Sequence, residues 1–170
     1  LTAQIAIQGP LAEEVMSRVL GIDGSQLAFY TAAEVTNPHD GKPILLSRTG
    51  YTGEDGFELY GAHDVIAYCW DRLVESGQCK PCGLGCRDTL RFEVGLPLYG
   101  DELSDSISPI EAGLGIFVKL DKEGGFIGRD ACAAQKAEGP RRKLVGLEIL
   151  DRAIARHGAE VPVSYTHLTL

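Results

Sequence analysis

RTGYTGEDGFELY, which occupies Arg48 to Tyr60, is the stretch on which the reading of this chain turns. Gly50, Gly53 and Gly56 stand three apart, with Tyr51 and the acids Glu54 and Asp55 between them. Glycines at this density predict a tight turn or a close backbone approach. Upstream, Pro43-Ile44-Leu45-Leu46-Ser47-Arg48-Thr49 predicts a buried strand, and downstream Phe57-Glu58-Leu59-Tyr60 predicts a second. Strand side chains alternate, so Phe57 and Leu59 facing a core would put Glu58 and Tyr60 on the other face. A strand glutamate is usually just solvated. The functional alternative is a ligand cleft on that face, where a carboxylate accepts two parallel N–H bonds from the amidine-like edge of a pterin or purine.

Working outward, Ala3–Gly9 predicts a strand, and Pro10 opens a helix with Leu11, Val15 and Val19 on one face and Gly21 as its stop. The segment Leu27–Val35 is a weaker strand candidate, and Asn37–Pro43 is turn-rich. Asp64 is placed to cap a helix that buries Val65, Ile66, Cys69, Trp70, Leu73 and Val74 and ends at Gly77. A further helix runs from Arg87 to about Val94, and GGFIGRDACAAQK predicts a turn and a short helix. The order of strands and helices predicts an α+β fold, a mixed sheet with helices on one side. The polar, proline-containing Glu138–Lys143 marks a boundary: one domain over residues 1–138, then a second, begun by a strand at Leu144–Leu150 and cut off by 162. Residues 163–170 read as a non-native tail and the chain as a fragment.

Composition narrows the possible functions. The 170 residues are 44% hydrophobic and 24% charged, with a net charge of −8, which disfavours nucleic acid and anionic membranes as partners. No apolar run approaches the roughly 20 residues of a membrane span, so a soluble cytoplasmic protein is expected. The five cysteines are odd in number and irregularly spaced, as in a reducing compartment. Cys79, Cys82 and Cys86 form C-x2-C-x3-C, but no fourth ligand lies near to complete a zinc set, so no metal is expected.

Tyr51 in the turn can stack on a flat ring or cover the sheet end. Arg87 and Arg91, one helical turn apart, suit either a wet surface or a site receiving a carboxylate, and Arg87 lies near a helix start that favours anions. A phosphate cradle is disfavoured by Glu54 and Asp55 and by the lack of a P-loop lysine. The residues alone therefore predict an α+β module with a flat-ligand pocket.

Several blocks in order take the reading further: QGP, SRTGYTGEDGFELY, KPCGLGCRDTLRFEVGLPLYGDEL, SPIEAGLG, GGFIGRDA and RRKLVGLEILDRAIARHG. Over nearly all of residues 1–162 the chain resembles the aminomethyltransferases of the glycine cleavage system, the T-protein family. The resemblance implies a folate-binding domain followed by the start of a C-terminal β-barrel. It also implies an enzyme that takes the aminomethyl group from the lipoyl arm of the H-protein, releases ammonia and passes the methylene to tetrahydrofolate. By the same resemblance Glu58 holds the pterin, Arg87 lies in the folate site, Tyr51 lines the pocket, and Tyr30 is a looser candidate for its wall. The family's key aspartate lies outside this chain, so no catalytic residue is assigned and no turnover is expected from the chain alone. Cys86 stands where the family usually carries a small residue. Two alternatives are a folate-binding C-terminal part of a sarcosine or dimethylglycine dehydrogenase-type flavoenzyme, and a non-catalytic folate-binding protein. A fourth is an interaction module with no ligand.

Overall fold

The computed structural model describes residues 1–156 and 158–159; the expected non-native tail lies outside them. The chain divides into two compact units, Leu1–Asp101 and Glu102–Leu170.

In the first unit, strands β1 (Thr2–Gln8), β2 (Ala32–Thr36), β3 (Pro43–Ser47) and β4 (Gly56–Ala62) form one sheet in the order β1-β4-β3-β2. Every pairing is antiparallel, which corrects the expected mixed sheet. Helix α1 (Ala12–Leu20) does follow β1, as a parallel crossover would. However, the irregular segment 21–31 reverses the chain again, so β2 enters opposed to β1.

Two turns set the register. Between β2 and β3 the Asn37 N–H donates to the Lys42 carbonyl at 2.8 Å, and the buried Asn37 amide donates to Asp40 at 2.9 Å. Between β3 and β4 lies the three-glycine stretch, and its glycines serve two purposes. Gly53 takes φ +79°, a left-handed conformation in which a Cβ is strained. Gly50 and Gly56 lie under the side chain of Gln8: a Cβ would meet it at 1.8 and 2.5 Å respectively. The Gln8 amide fills that space by donating to the carbonyls of Thr49 and Phe57, at 3.1 and 3.4 Å.

The helices do pack on one face. Ile7, Ile44, Leu46, Phe57 and Leu59 from the sheet share a core with Val15, Met16 and Leu20 of α1. Helix α2 (His63–Glu75) adds Val65, Ile66, Cys69 and Leu73. Some inward residues differ from expectation. Leu11 is exposed while Ala12 and Met16 are buried, because the helix begins after Leu11 and its phase follows from there. Trp70 and Val74 are partly exposed at the rim of a cleft. Asp64 is not the cap of α2; that position is Ala62, and Asp64 sits in the first turn paired with Lys42. The lysine holds its carboxyl below the usual range.

Helix α3 (Leu84–Glu93) starts three residues before Arg87. Arg91, its one buried residue, donates from Nε to Asp88 at 2.7 Å and from Nη1 to the Leu96 carbonyl at 3.2 Å, and pairs with Asp101 at 3.5 Å.

The second unit holds helix α4 (Arg129–Glu138) and a turn in which Ser108 and Glu111 cap one another. The Ser108 N–H donates to the Glu111 carboxylate at 2.9 Å and the Glu111 N–H to the Ser108 hydroxyl at 3.2 Å. Arg142 binds the same carboxylate at 2.8 Å. The expected strand at 144–150 does not form. Its apolar residues are exposed, and no strand among the described residues lies alongside to supply the ladder that a strand requires.

Candidate functional site

The sheet has one covered face and one open face. Register sets Gln4, Tyr60 and Leu45 in one row across the open side, and Ala6, Glu58 and Ser47 in the next. Glu58 thus stands where alternation puts it, opposite the buried Phe57 and Leu59. It is no freely solvated glutamate. Gln4 Nε2 donates to Oε1 at 2.8 Å, and the Thr49 hydroxyl donates to Oε2. The pKa of the neighbouring Tyr60 hydroxyl is raised by burial first, then by the charge of Glu58. Gln4 also reaches the Tyr60 oxygen at 3.2 Å, and Ser47 supports Thr49 at 2.8 Å. The carboxylate is therefore oriented by side chains from β1 and the glycine turn.

Tyr51 and Arg87 are brought together. The Arg87 guanidinium carbon sits 4.9 Å from the centre of the Tyr51 ring, a cation–π contact. The Tyr51 hydroxyl donates to the Pro97 carbonyl, which fixes the ring. Arg87 is exposed, whereas Arg91, the other half of the arginine pair, is buried in the ion-pair set described above. Of the pair, only Arg87 is open to solvent.

Tyr30 has other partners. It lies at φ +63°, strongly exposed, with its ring 4.2 Å from that of Phe29. Its N–H donates to the Arg48 carbonyl at 3.0 Å. Arg48 clamps this corner. It grips Asp55 through Nε and Nη2 at 3.0 and 2.6 Å, reaches Glu13 at 2.9 Å and the Leu27 carbonyl at 3.2 Å, and lies over Phe57.

A cleft of about 630 Å³ runs beside β1, walled by Gln4, Gln8, Thr52, Trp70, Cys82 and Arg87 among others. It takes in Arg87, but its walls do not include Glu58, Tyr51 or Tyr30. An open sheet face is shallow, so the hydrogen-bonded geometry around Glu58, and not a cavity, marks the candidate site. Sequence reasoning missed Gln4, Thr49 and Gln8. The signal was available for Gln4, which alternation in β1 puts on the same face as Gln8. For Thr49 there was none, since its partner depends on the path of the turn. Among the described residues no group of three or more His, Cys, Asp or Glu side chains is arranged to hold a metal ion, and no helix is long and apolar enough to cross a membrane.

Comparison with known proteins places this chain in a family. The profile of the GCVT N-terminal domain matches residues 1–122. An aminomethyltransferase of Lysinibacillus sphaericus (strain C3-41) is 57% identical over 162 residues, covering 94% of this chain and 44% of the relative. One from Geobacillus sp. (strain WCH70) is 51% identical over 162 residues, with coverage of 94% and 44%. The crystal structure of glycine cleavage system aminomethyltransferase T from Bartonella henselae superposes with a TM-score of 0.70 at 31% identity, covering 82% of this chain and 37% of that one. The chain thus spans less than half the length of the relatives it matches. It belongs to the GCVT family, that of the aminomethyltransferase T-proteins of glycine cleavage.

Proposed function

We propose that this chain is the folate-binding part of a tetrahydrofolate-dependent aminomethyltransferase acting in the cytoplasm. The whole enzyme would accept the aminomethyl group from a lipoyl-bearing H-protein, release ammonia and deliver the methylene to tetrahydrofolate. The observation that carries this reading is the state of Glu58. A carboxylate on an open sheet face, held by Gln4 and Thr49, is oriented in advance for a flat ligand.

The donor set fits a pterin. A carboxylate offers about four lone-pair sites, and two donors already address Glu58, one on each oxygen. One site on each oxygen is left for the two N–H groups of the pterin's aminopyrimidine edge. Arg87 supplies a cation for the anionic end of the folate. With Arg87 over its ring, Tyr51 acts first as the platform that holds the guanidinium, and lines the pocket in that capacity. Tyr30 belongs to the rim. The chemistry supplied by bound tetrahydrofolate is acceptance of a one-carbon unit; the residues here bind and orient.

Titration of a reduced folate into the purified chain and its Glu58→Gln variant tests this. An amide cannot accept two N–H bonds from one edge, so affinity should fall at least about tenfold, near 1.4 kcal/mol. Circular dichroism should be unchanged, because an amide keeps the shape. Equal affinity in the two proteins would remove Glu58 from the site and this reading with it.

A further inference from the structure

The QGP block at Gln8 to Pro10 has no part in the ligand contacts proposed above, yet Gln8 is tied to them. It is the last residue of β1, on the same face as Gln4 and Ala6, and pairs in register with Gly56. Both ends of its amide are used. Nε2 donates to the carbonyls of Thr49 and Phe57 at 3.1 and 3.4 Å, and Oε1 accepts from the Thr52 hydroxyl at 3.3 Å. One side chain thus touches the start, the middle and the exit of the glycine turn. The glycines leave room for it: an added Cβ at Gly50 would meet Oε1 first, and one at Gly56 would meet Cδ. Neither glycine has a positive φ, so space is what each supplies.

We propose that Gln8 is a positioning residue of the ligand site, seating the glycine turn so that the Thr49 hydroxyl meets Glu58. The inference rests on the folate reading of Glu58. The link is one residue long. The carbonyl that Gln8 holds and the hydroxyl that donates to Glu58 both belong to Thr49. The ladder between β3 and β4 ends at the pair Ser47 and Glu58, two residues before Thr49. Beyond that pair, Ser47 steadies the Thr49 hydroxyl at 2.8 Å and Gln8 holds the backbone carbonyl.

The position calls for a primary amide. Two carbonyls take a donor and the Thr52 hydroxyl takes an acceptor, and an amide carries both on one planar head. Asparagine is one methylene short of the same reach. Glutamate would turn an acceptor toward two carbonyls. Methionine would fill the space but leave both carbonyls without this donor.

The test is titration of tetrahydrofolate into the purified chain and into Gln8→Met, Thr49→Val, the double variant and Glu58→Gln, with urea unfolding of each. Gln8→Met and Thr49→Val should each weaken binding about threefold to tenfold, the range for one lost neutral hydrogen bond. The double variant should bind no more than about twofold worse than the weaker single, because both changes cut the same link. Stability separates positioning from general damage. Gln8→Met should lower the urea midpoint equally with or without the Thr49 hydroxyl, while its effect on affinity disappears in Thr49→Val. Wild-type affinity in Gln8→Met, or losses that multiply in the double variant, would overturn the proposal. Glu58→Gln keeps the two readings apart. If it weakens binding while Gln8→Met does not, only the role of Gln8 is lost. If it binds as the wild type does, the folate reading falls and this inference with it. Should circular dichroism show Gln8→Met unfolded, Gln8→Asn takes its place with the same expectations and the same refutations.

Discussion

The clamp between Arg48 and Asp55 offers a test of how the glycine turn is held, through a double-mutant cycle of Arg48→Met and Asp55→Ala. Methionine keeps an apolar stem over Phe57, so the cycle isolates the polar part. Two charge-assisted bonds join the pair, at 3.0 and 2.6 Å. A hydrogen bond to a charged group contributes about 1.5–3 kcal/mol when shielded. Here the Arg48 side chain is 19% exposed but that of Asp55 is 38%, so solvent screening lowers the figure. The expected coupling is about 1–2 kcal/mol for the pair. Arg48→Met alone should cost more, about 2–4 kcal/mol, because it also leaves Glu13 and the Leu27 carbonyl without their partner. Acid should act through the same contact. The Arg48 hydrogen bond is the largest cause of a depressed Asp55 pKa, below its ordinary 3.8. The contribution is therefore complete above that ordinary value and is lost as pH falls through the lower folded value. Urea unfolding of the four proteins, at neutral pH and in acid, measures both. A coupling under about 0.5 kcal/mol, or one that persists in strong acid, would refute the assignment of the clamp.

Two further outcomes follow from the same corner of the fold. Gly53→Ala should destabilise by about 1–3 kcal/mol, from left-handed strain together with a Cβ placed 2.5 Å from Val94 Cγ1; a urea midpoint unchanged within error would contradict this. Arg91→Leu should cost about 2–3 kcal/mol, since it strands Asp88 and Asp101 around an apolar group although both are half exposed. Hydrogen exchange should then accelerate in α3 and not in α1 or α2, and uniform acceleration would show that α3 is not an independently held element.

What the sequence disclosed depended on the range of the interaction. Alternation in Phe57-Glu58-Leu59-Tyr60 set Glu58 on the open face, because a strand's side chains have a fixed period whatever lies around them. Helix α2 was equally legible from its apolar spacing. The direction of β2 was not, because it depends on an irregular segment with no periodic signal. Nor was the difference between Arg87 and Arg91. Both are arginines on one helix, and only the fold buries one against Asp88 and Asp101 and sets the other on Tyr51. Gly50 and Gly56 were readable as close approaches, yet nothing local named Gln8 as the visitor. Leu144–Leu150 shows the converse: a strong strand pattern stays unpaired when no neighbour supplies the ladder.

The attachment of α3 has a thermodynamic consequence for any ligand of this surface. Glu58 rides on a central strand whose neighbours are packed into the core, so its position costs little to keep. Arg87 rides on a helix anchored by a buried guanidinium and by no buried apolar side chain. Such anchorage gives a lower local unfolding free energy than packing does. A ligand spanning both groups would therefore meet one end preorganised and one end to be ordered. The entropy lost on binding would fall mainly on the Arg87 side, and added salt would weaken that end first.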